Sequence, residues 1–252
     1  MRWPATVALG VASYLFFLLN SLPAQQAIGW VTGGNKAQTV ILEGAEGTVW
    51  SGEAERVSYQ RRPLGQLKWR FKPSRLLLGK IAYEIELEDT GQSLQGILLT
   101  GWGDTYRLEQ IDALLLARQF PEWLQQRQIR IDGKVRMQEL DLTLSNGKLT
   151  AAEGTVQWLE GTLQNPMNLV IGDLQADLST DDASGEIKAQ IRDLKGAIGV
   201  QAEARLKPDG NFQLEGKLKP GDKADPGLTG ALQAIGRKQP DGSIQLKYAG
   251  RI

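Results

Sequence analysis

The chain contains no cysteine and no histidine. The first absence removes disulfides, thiolate nucleophiles, zinc ribbons and iron–sulfur ligands. The second removes Ser-His-Asp and Cys-His catalysis and most transition-metal sites. Net charge is missing too: 29 Lys and Arg balance 29 Asp and Glu. A chain without a field of one sign lacks the electrostatic footprint of a nucleic-acid binder. An enzyme would have to work with carboxylates, Lys, Ser or Tyr alone.

What is present is a 252-residue chain, 41% hydrophobic and 23% charged, with 29 glycines. That is globular and turn-rich, and long enough for one large domain or two modest ones.

Pro4 to Leu22 carries no charged residue. As a helix it would span roughly 28 Å, near the hydrocarbon thickness of a bilayer. Arg2 precedes the run, and the next charge is Lys36. The positive-inside rule then predicts a cytoplasmic N-terminus and an exported body. Trp3 and Trp30 flank the run at interfacial positions. A cleaved signal peptide is the competing reading. Its one plausible site follows Ala24, where Leu22 occupies a position that wants a small residue. The expected division is a cytoplasmic tip and transmembrane anchor (1–24), a linker (25–38) and a body (39–252).

From residue 39 the dominant period is two. Leu67, Trp69 and Phe71 alternate with charged or polar neighbours, as do Ile81, Tyr83, Ile85 and Leu87. One apolar and one wet face is the pattern of antiparallel sheet. Glu84, Glu86 and Glu88 share a face for that reason and are read as solvated rather than as an acid or metal site. Trp50 and Trp69 are read as core anchors. Asn146-Gly147 predicts a hairpin turn, Gly133 a turn or bulge, and Asp181 to Gly185 a turn. Lys207-Pro208-Asp209-Gly210 and Gln239-Pro240-Asp241-Gly242 predict two more turns. The acidic group Asp177, Asp181, Asp182 and Glu186 lacks the carboxylate ladder and mid-loop Gly of a calcium loop. The period switches at Ile111, Leu114, Leu115, Phe120, Trp123 and Leu124, which predicts one short, Pro121-interrupted helix or two turns over 111–126. Asp225 to Ala234 is compatible with a further short helix, capped by Asp225 with Pro226 at its first position, though 111–126 is the one convincing helical segment of the body. The predicted fold is mainly β: elongated, twisted antiparallel sheet with one short helical segment and a single N-terminal transmembrane helix.

One pentamer recurs. Ala45-Glu46-Gly47-Thr48-Val49 reappears as Ala152-Glu153-Gly154-Thr155-Val156. Trp50 follows the first copy at once, and Gln157 separates the second from Trp158. Ala45 to Ala54 is expected to be the first strand of the body. The copies suggest two related halves, about 45–150 and 152–252. The motif carries no nucleophile–base pair, metal cage or phosphate cradle.

Gly47-Thr48-Val49-Trp50-Ser51-Gly52-Glu53-Ala54, then Leu67 to Pro73, then Leu76-Leu77-Leu78-Gly79 form an ordered set. Gly216 to Pro220, Gly236-Arg237 and Gly242 to Ile252 continue it. The set resembles the N protein of the bacterial type II (general) secretion pathway, GspN. The Val-Trp-Ser-Gly-x-Ala piece alone is also similar to AsmA-like envelope proteins. The resemblance implies a single-pass inner-membrane protein with a β-rich periplasmic domain. It would be an accessory of the machine that moves folded proteins across the outer membrane. Other secretion subunits would then be partners, alongside the bilayer. It brings no catalytic, cofactor or metal residues. The alternative is lipid binding or transfer, in which an apolar sheet face shelters acyl chains. A carboxylate-based envelope hydrolase is the third class, and no carboxylate pair stands out for it.

Overall fold

The computed structural model describes residues 23, 40–59, 62–100, 104–120, 130–165, 169–196, 198–221, 230, 232 and 236–251. They divide between two compact units, Met1–Thr90 and Gly91–Ile252. The expected anchor lies outside the described residues apart from Pro23, and most of the segment 225–234 does too. Among the described residues no helix is long and apolar enough to cross a membrane.

The first unit holds β1 (Val40–Gly47), β2 (Ser51–Tyr59), β3 (Arg62–Phe71) and β4 (Ile81–Asp89). Consecutive strands pair antiparallel. Register explains the two faces. Ala45, Ala54, Leu67 and Leu87 form one cross-strand row, and Gly47, Gly52, Trp69 and Ile85 the next apolar one. Between them runs a charged row, Glu46, Glu53, Lys68 and Glu86. Side chains alternate along a strand, so apolar and charged rows point to opposite faces. Ala45, Ala54 and Val57 are buried there, with Leu67 and Trp69 packed against them.

The second unit holds β5 (Gln92–Thr100), β6 (Thr105–Leu116), β7 (Arg130–Ser145), β8 (Lys148–Asn165) and β9 (Leu169–Thr180). It continues with β10 (Ile187–Lys195), β11 (Ile198–Leu206), β12 (Asn211–Pro220), β13 (Arg237–Lys238) and β14 (Ile244–Arg251). Neighbours follow chain order up to β12, after which β14 lies inside β13. One cluster buries Ile111, Ala113, Leu115 and Leu140; another buries Leu169, Ile198, Val200, Leu218, Leu232 and Ile244. Ile244 is 1% exposed. Burying such a side chain contributes ~1.5–3 kcal/mol.

The turns form as read. Asn146 and Gly147 sit at φ 52° and 74°, joining Ser145 to Lys148, as a type I′ hairpin requires. The two Pro-Asp-Gly turns repeat one hydrogen-bond pattern. Lys207 and Gln239 N–H donate to the carbonyls of Asn211 and Ser243. Asp209 and Asp241 accept from the N–H two residues on. Gly133 lies at a register break in β7.

Two expectations fail. The residues 111–116 are strand, not helix: they end β6, paired with β5 and β7. Ile111, Ala113 and Leu115 are buried alternately. Leu114, half-buried between two neighbouring strands, supplied with Ile111 and Leu115 the apolar residues that mimicked helical spacing. Ala117–Gln119 form a 3-10 helix and Phe120 is helical; the residues 121–126 are outside the described set. Second, Ala45 to Ala54 is not one strand. It is the end of β1, a turn and the start of β2.

A further device was not anticipated. Gln110, Glu139 and Glu160 adopt φ of 53°, 48° and 53°, uncommon for residues with a side chain. Each backbone N–H is held by an Asp of the adjoining strand: Asp141 at 2.7 Å, Asp112 at 3.2 Å and Asp173 at 2.7 Å. The first two are reciprocal across β6 and β7. Carboxylates thus fix the bulges that bend these strands.

Candidate functional site

The richest surface of the first unit lies over the β1–β2 turn. Thr48 organises it. Its Oγ1 accepts from the N–H of Trp50 at 3.3 Å and of Ser51 at 3.2 Å. Its own N–H donates to the Ser51 carbonyl at 2.9 Å. The Trp69 indole N–H reaches across from β3 to the Thr48 carbonyl at 3.0 Å. Gly47, at φ 88°, reverses the chain where an added Cβ would sit 2.6 Å from the Ser51 oxygen. Trp50, Phe71 and Tyr83 form a tilted aromatic ladder, with centroids 4.8 and 5.4 Å apart. Trp69 packs against the buried cluster of Ala45, Ala54 and Val57, as a core anchor would, but it and Trp50 are half-buried rather than buried.

Beside the turn is an open depression of about 380 Å³. Glu46, Glu53, Lys68, Arg70, Glu84 and Glu86 line it, together with Gly47 and Gly52. Antiparallel pairing sets Lys68 opposite Glu86 and Arg70 opposite Glu84. Glu84 accepts from Lys72 Nζ at 2.8 Å and lies 3.5 Å from Arg70 Nη1. The hydrogen bond from Lys72 holds the Glu84 carboxyl below its ordinary value, against a smaller opposing effect of burial. A general acid needs the opposite shift. The arrangement suits an alternating-charge contact better than proton transfer. The Glu84, Glu86 and Glu88 row is on a wet face, as its spacing predicted.

The other acidic group is a turn. Asp181 Oδ1 accepts from the N–H groups of Ala183 and Ser184 and from the Ser184 hydroxyl, while Oδ2 faces Lys188 at 3.5 Å. The Ser184 backbone bond is the main reason the Asp181 carboxyl is held low. Asp177 accepts from Gln175, Thr155 and Arg192, and the first of these contributes most to its lowered value. Among the described residues no His, Cys, Asp and Glu group has the geometry to hold a metal ion.

A third feature is an edge. β14 pairs with β12 throughout, but with β13 only at Ile244 and Gln245. Among the described residues the stretch 246–251 has a registered neighbour on one side alone. Tyr248 there is 60% exposed, against Phe212 at 5.7 Å.

The ion pairs around Glu84 follow from register between two strands, and the β14 edge from sheet order. Neither has a local signal, although the facing Lys68/Arg70/Lys72 and Glu84/Glu86/Glu88 alternations pointed to the first.

Comparison with known proteins gives one consistent answer. Residues 38–247 match the family model described as type II secretion system (T2SS), protein N. The chain is 26% identical to type II secretion system protein N of Aeromonas hydrophila, over 97% of each chain. It is 28% identical to the protein of that name from Klebsiella pneumoniae, over 99% of this chain and 97% of the other. The Vibrio cholerae protein of the same name is 26% identical over 88% of this chain and 86% of its own length. No solved structure matches. The family match runs from the residues before β1 into β14, so the chain belongs to the protein N family of the type II secretion system.

Proposed function

We propose that this protein is a non-enzymatic inner-membrane accessory of the type II secretion system, supporting passage of folded proteins from the periplasm across the outer membrane. Residues 1–24 form the cytoplasmic tip and single anchor, 25–38 the linker, and 39–252 the periplasmic body. The family match over 38–247 carries this reading. The one-sided edge of β14 offers a way to engage other secretion subunits, since an extended segment can add to a sheet edge through main-chain hydrogen bonds. The test is a clean deletion in a secreting bacterium. Loss of exoprotein from the medium, with accumulation in the periplasm and restoration by the full chain, is expected. Unchanged secretion and unchanged assembly of the apparatus would overturn the reading.

A second reading has one observation in its favour. Leu67, Trp69, Phe71, Tyr83, Ile85 and Leu87 all lie on the apolar face of the first unit, and all are half-buried rather than buried. Such a face can accept acyl chains. Mass spectrometry of the purified full chain distinguishes the two: stoichiometric co-purified phospholipid favours the lipid reading, and its absence leaves the secretion role alone.

A further inference from the structure

The β3–β4 connection, Pro73–Leu78, is a 3-10 turn with no buried residue. Leu76, Leu77 and Leu78 are 50%, 91% and 66% exposed, and Ile81 beyond them 45%. Scattered exposed leucines are ordinary, but four large apolar side chains within six residues at one tip make a patch. Part of its backbone is bonded within the turn. Arg75 N–H donates to the Lys72 carbonyl, Gly79 N–H to Leu76 and Lys80 N–H to Arg75. A tip with internally bonded backbone can leave water at lower cost. Its charge has one sign: from Arg70 through Tyr83 the sequence holds Arg70, Lys72, Arg75 and Lys80 and no carboxylate.

Its position supplies the second argument. The root of the tip is tied to the β1–β2 turn. Phe71 N–H donates to the Trp50 carbonyl at 2.6 Å, and the Trp50–Phe71–Tyr83 ladder spans the same distance. Thr48, in that turn, forms an isolated antiparallel bridge with Pro23. Pro23 directly follows the uncharged run 4–22. The end of the sheet that carries the leucines is therefore the end where the expected membrane segment terminates.

We infer that Leu76, Leu77 and Leu78 insert into the interfacial layer of an anionic phospholipid bilayer, with Arg75 and Lys80 at headgroup level. The inference rests on the anchor reading above for which membrane is close by. Apolar tips flanked by cations bind such surfaces through combined apolar burial and charge attraction. Insertion would hold this end of the unit against the membrane and direct the far end of β4 away from it.

The absence of native cysteine makes single-site labelling clean. The full chain is reconstituted in phosphatidylethanolamine–phosphatidylglycerol vesicles with a nitroxide at Leu77→Cys or at Asp89→Cys. Asp89 ends β4, eight residues from Ile81, about 26 Å at ~3.3 Å per residue. Leu77 packs on nothing to speak of, so its replacement leaves the fold intact. The expected result is a several-fold higher ratio of oxygen to aqueous nickel-chelate accessibility at position 77 than at 89. Adding Lys80→Glu, or using phosphatidylcholine vesicles, should reduce that ratio. Equal, water-like accessibility at both positions would overturn the inference. Shielding from both reagents at position 77 would also overturn it, because it reports a protein partner or second copy. Alkaline washing separates the two readings. A chain stripped from vesicles while the Leu77 label still enters them at neutral pH loses the anchor and keeps the tip. A chain that resists washing with a water-exposed label keeps the anchor and loses the tip.

Discussion

In the first unit the letters Ala-Glu-Gly-Thr-Val close a strand and open a turn. In the second, the same five letters run through the middle of the 18-residue β8. The residues after each pentamer decide the difference. After Val49 come Trp50, Ser51 and Gly52, and the Ser51 backbone closes on Thr48. After Val156 come Gln157, Trp158 and Leu159, which continue the strand between β7 and β9. Thr48 bonds forward to Trp50 and Ser51 of its own turn, whereas Thr155 donates sideways to Asp177 at 3.1 Å. The shared part is the glycine. Gly47 and Gly154 both have positive φ, at 88° and 126°, and both lie against backbone. A pentamer can thus prescribe where the chain approaches a neighbour without prescribing the element around it.

The sharpest way to break this comparison is at the glycines. An added Cβ at Gly154 would lie 2.6 Å from the Glu139 oxygen and 2.8 Å from Leu140 Cα, inside a strand paired on both sides. Backbone strain and overpacking together predict that Gly154→Ala destabilises by about 3 kcal/mol. Gly47→Ala meets a similar contact, but in a turn that can shift, and about 2 kcal/mol is expected. Urea midpoints of the full chain in mild detergent measure both. A larger loss at Gly47 would mean that the turn is the more rigid setting.

The tryptophans come next. Trp69 donates to the Thr48 carbonyl, and Trp158 to the Asp132 carbonyl, both at 3.0 Å. Each is half-buried. Trp→Ala at either should cost about 2–3 kcal/mol, below the ~3–5 kcal/mol of a fully buried tryptophan. Trp→Phe should cost about 1 kcal/mol, the worth of the lost hydrogen bond. A Trp69→Phe chain that melts like wild type would remove the indole from the account of the turn.

These examples show how far the sequence could be read. Period two, the turn dipeptides and the wet glutamate row depend on neighbours in the chain, and they were correct. The helical reading of 111–116 was not, because β6 lies between two strands and carries apolar residues on both faces. The repeat did not fix the element around it, because identity over five letters says nothing of the partners on either side. Asp112, Asp141 and Asp173 were unreadable as bulge clamps, since their partners lie on adjoining strands and depend on register. The charged depression was half-readable, as two facing alternations that became ion pairs once β3 and β4 closed.

The threonines test the comparison most finely. Thr48→Val removes three hydrogen bonds from a turn that has nothing to replace them, and about 1 kcal/mol is expected. Thr155→Val keeps a β-branched residue in a strand and loses one part-buried side-chain bond whose acceptor keeps Gln175 and Arg192, so a loss of about 0.5 kcal/mol is expected. The pH dependence separates them further. Asp177 is held below its ordinary value by Gln175 first, then by Thr155 and Arg192. A carboxyl lowered by folding contributes stability that is fully present above its unfolded pKa, ~3.9, and is lost as the pH falls through the folded value. Thr155→Val removes part of that lowering, so its small deficit at pH 7 should shrink as the pH drops below about 4. Thr48 bonds to backbone alone, and its deficit should be the same at pH 7 and pH 3. A Thr155→Val gap that stays constant with pH would show that its bond to Asp177 does not matter in solution, and the two threonines would then differ in size of effect but not in kind.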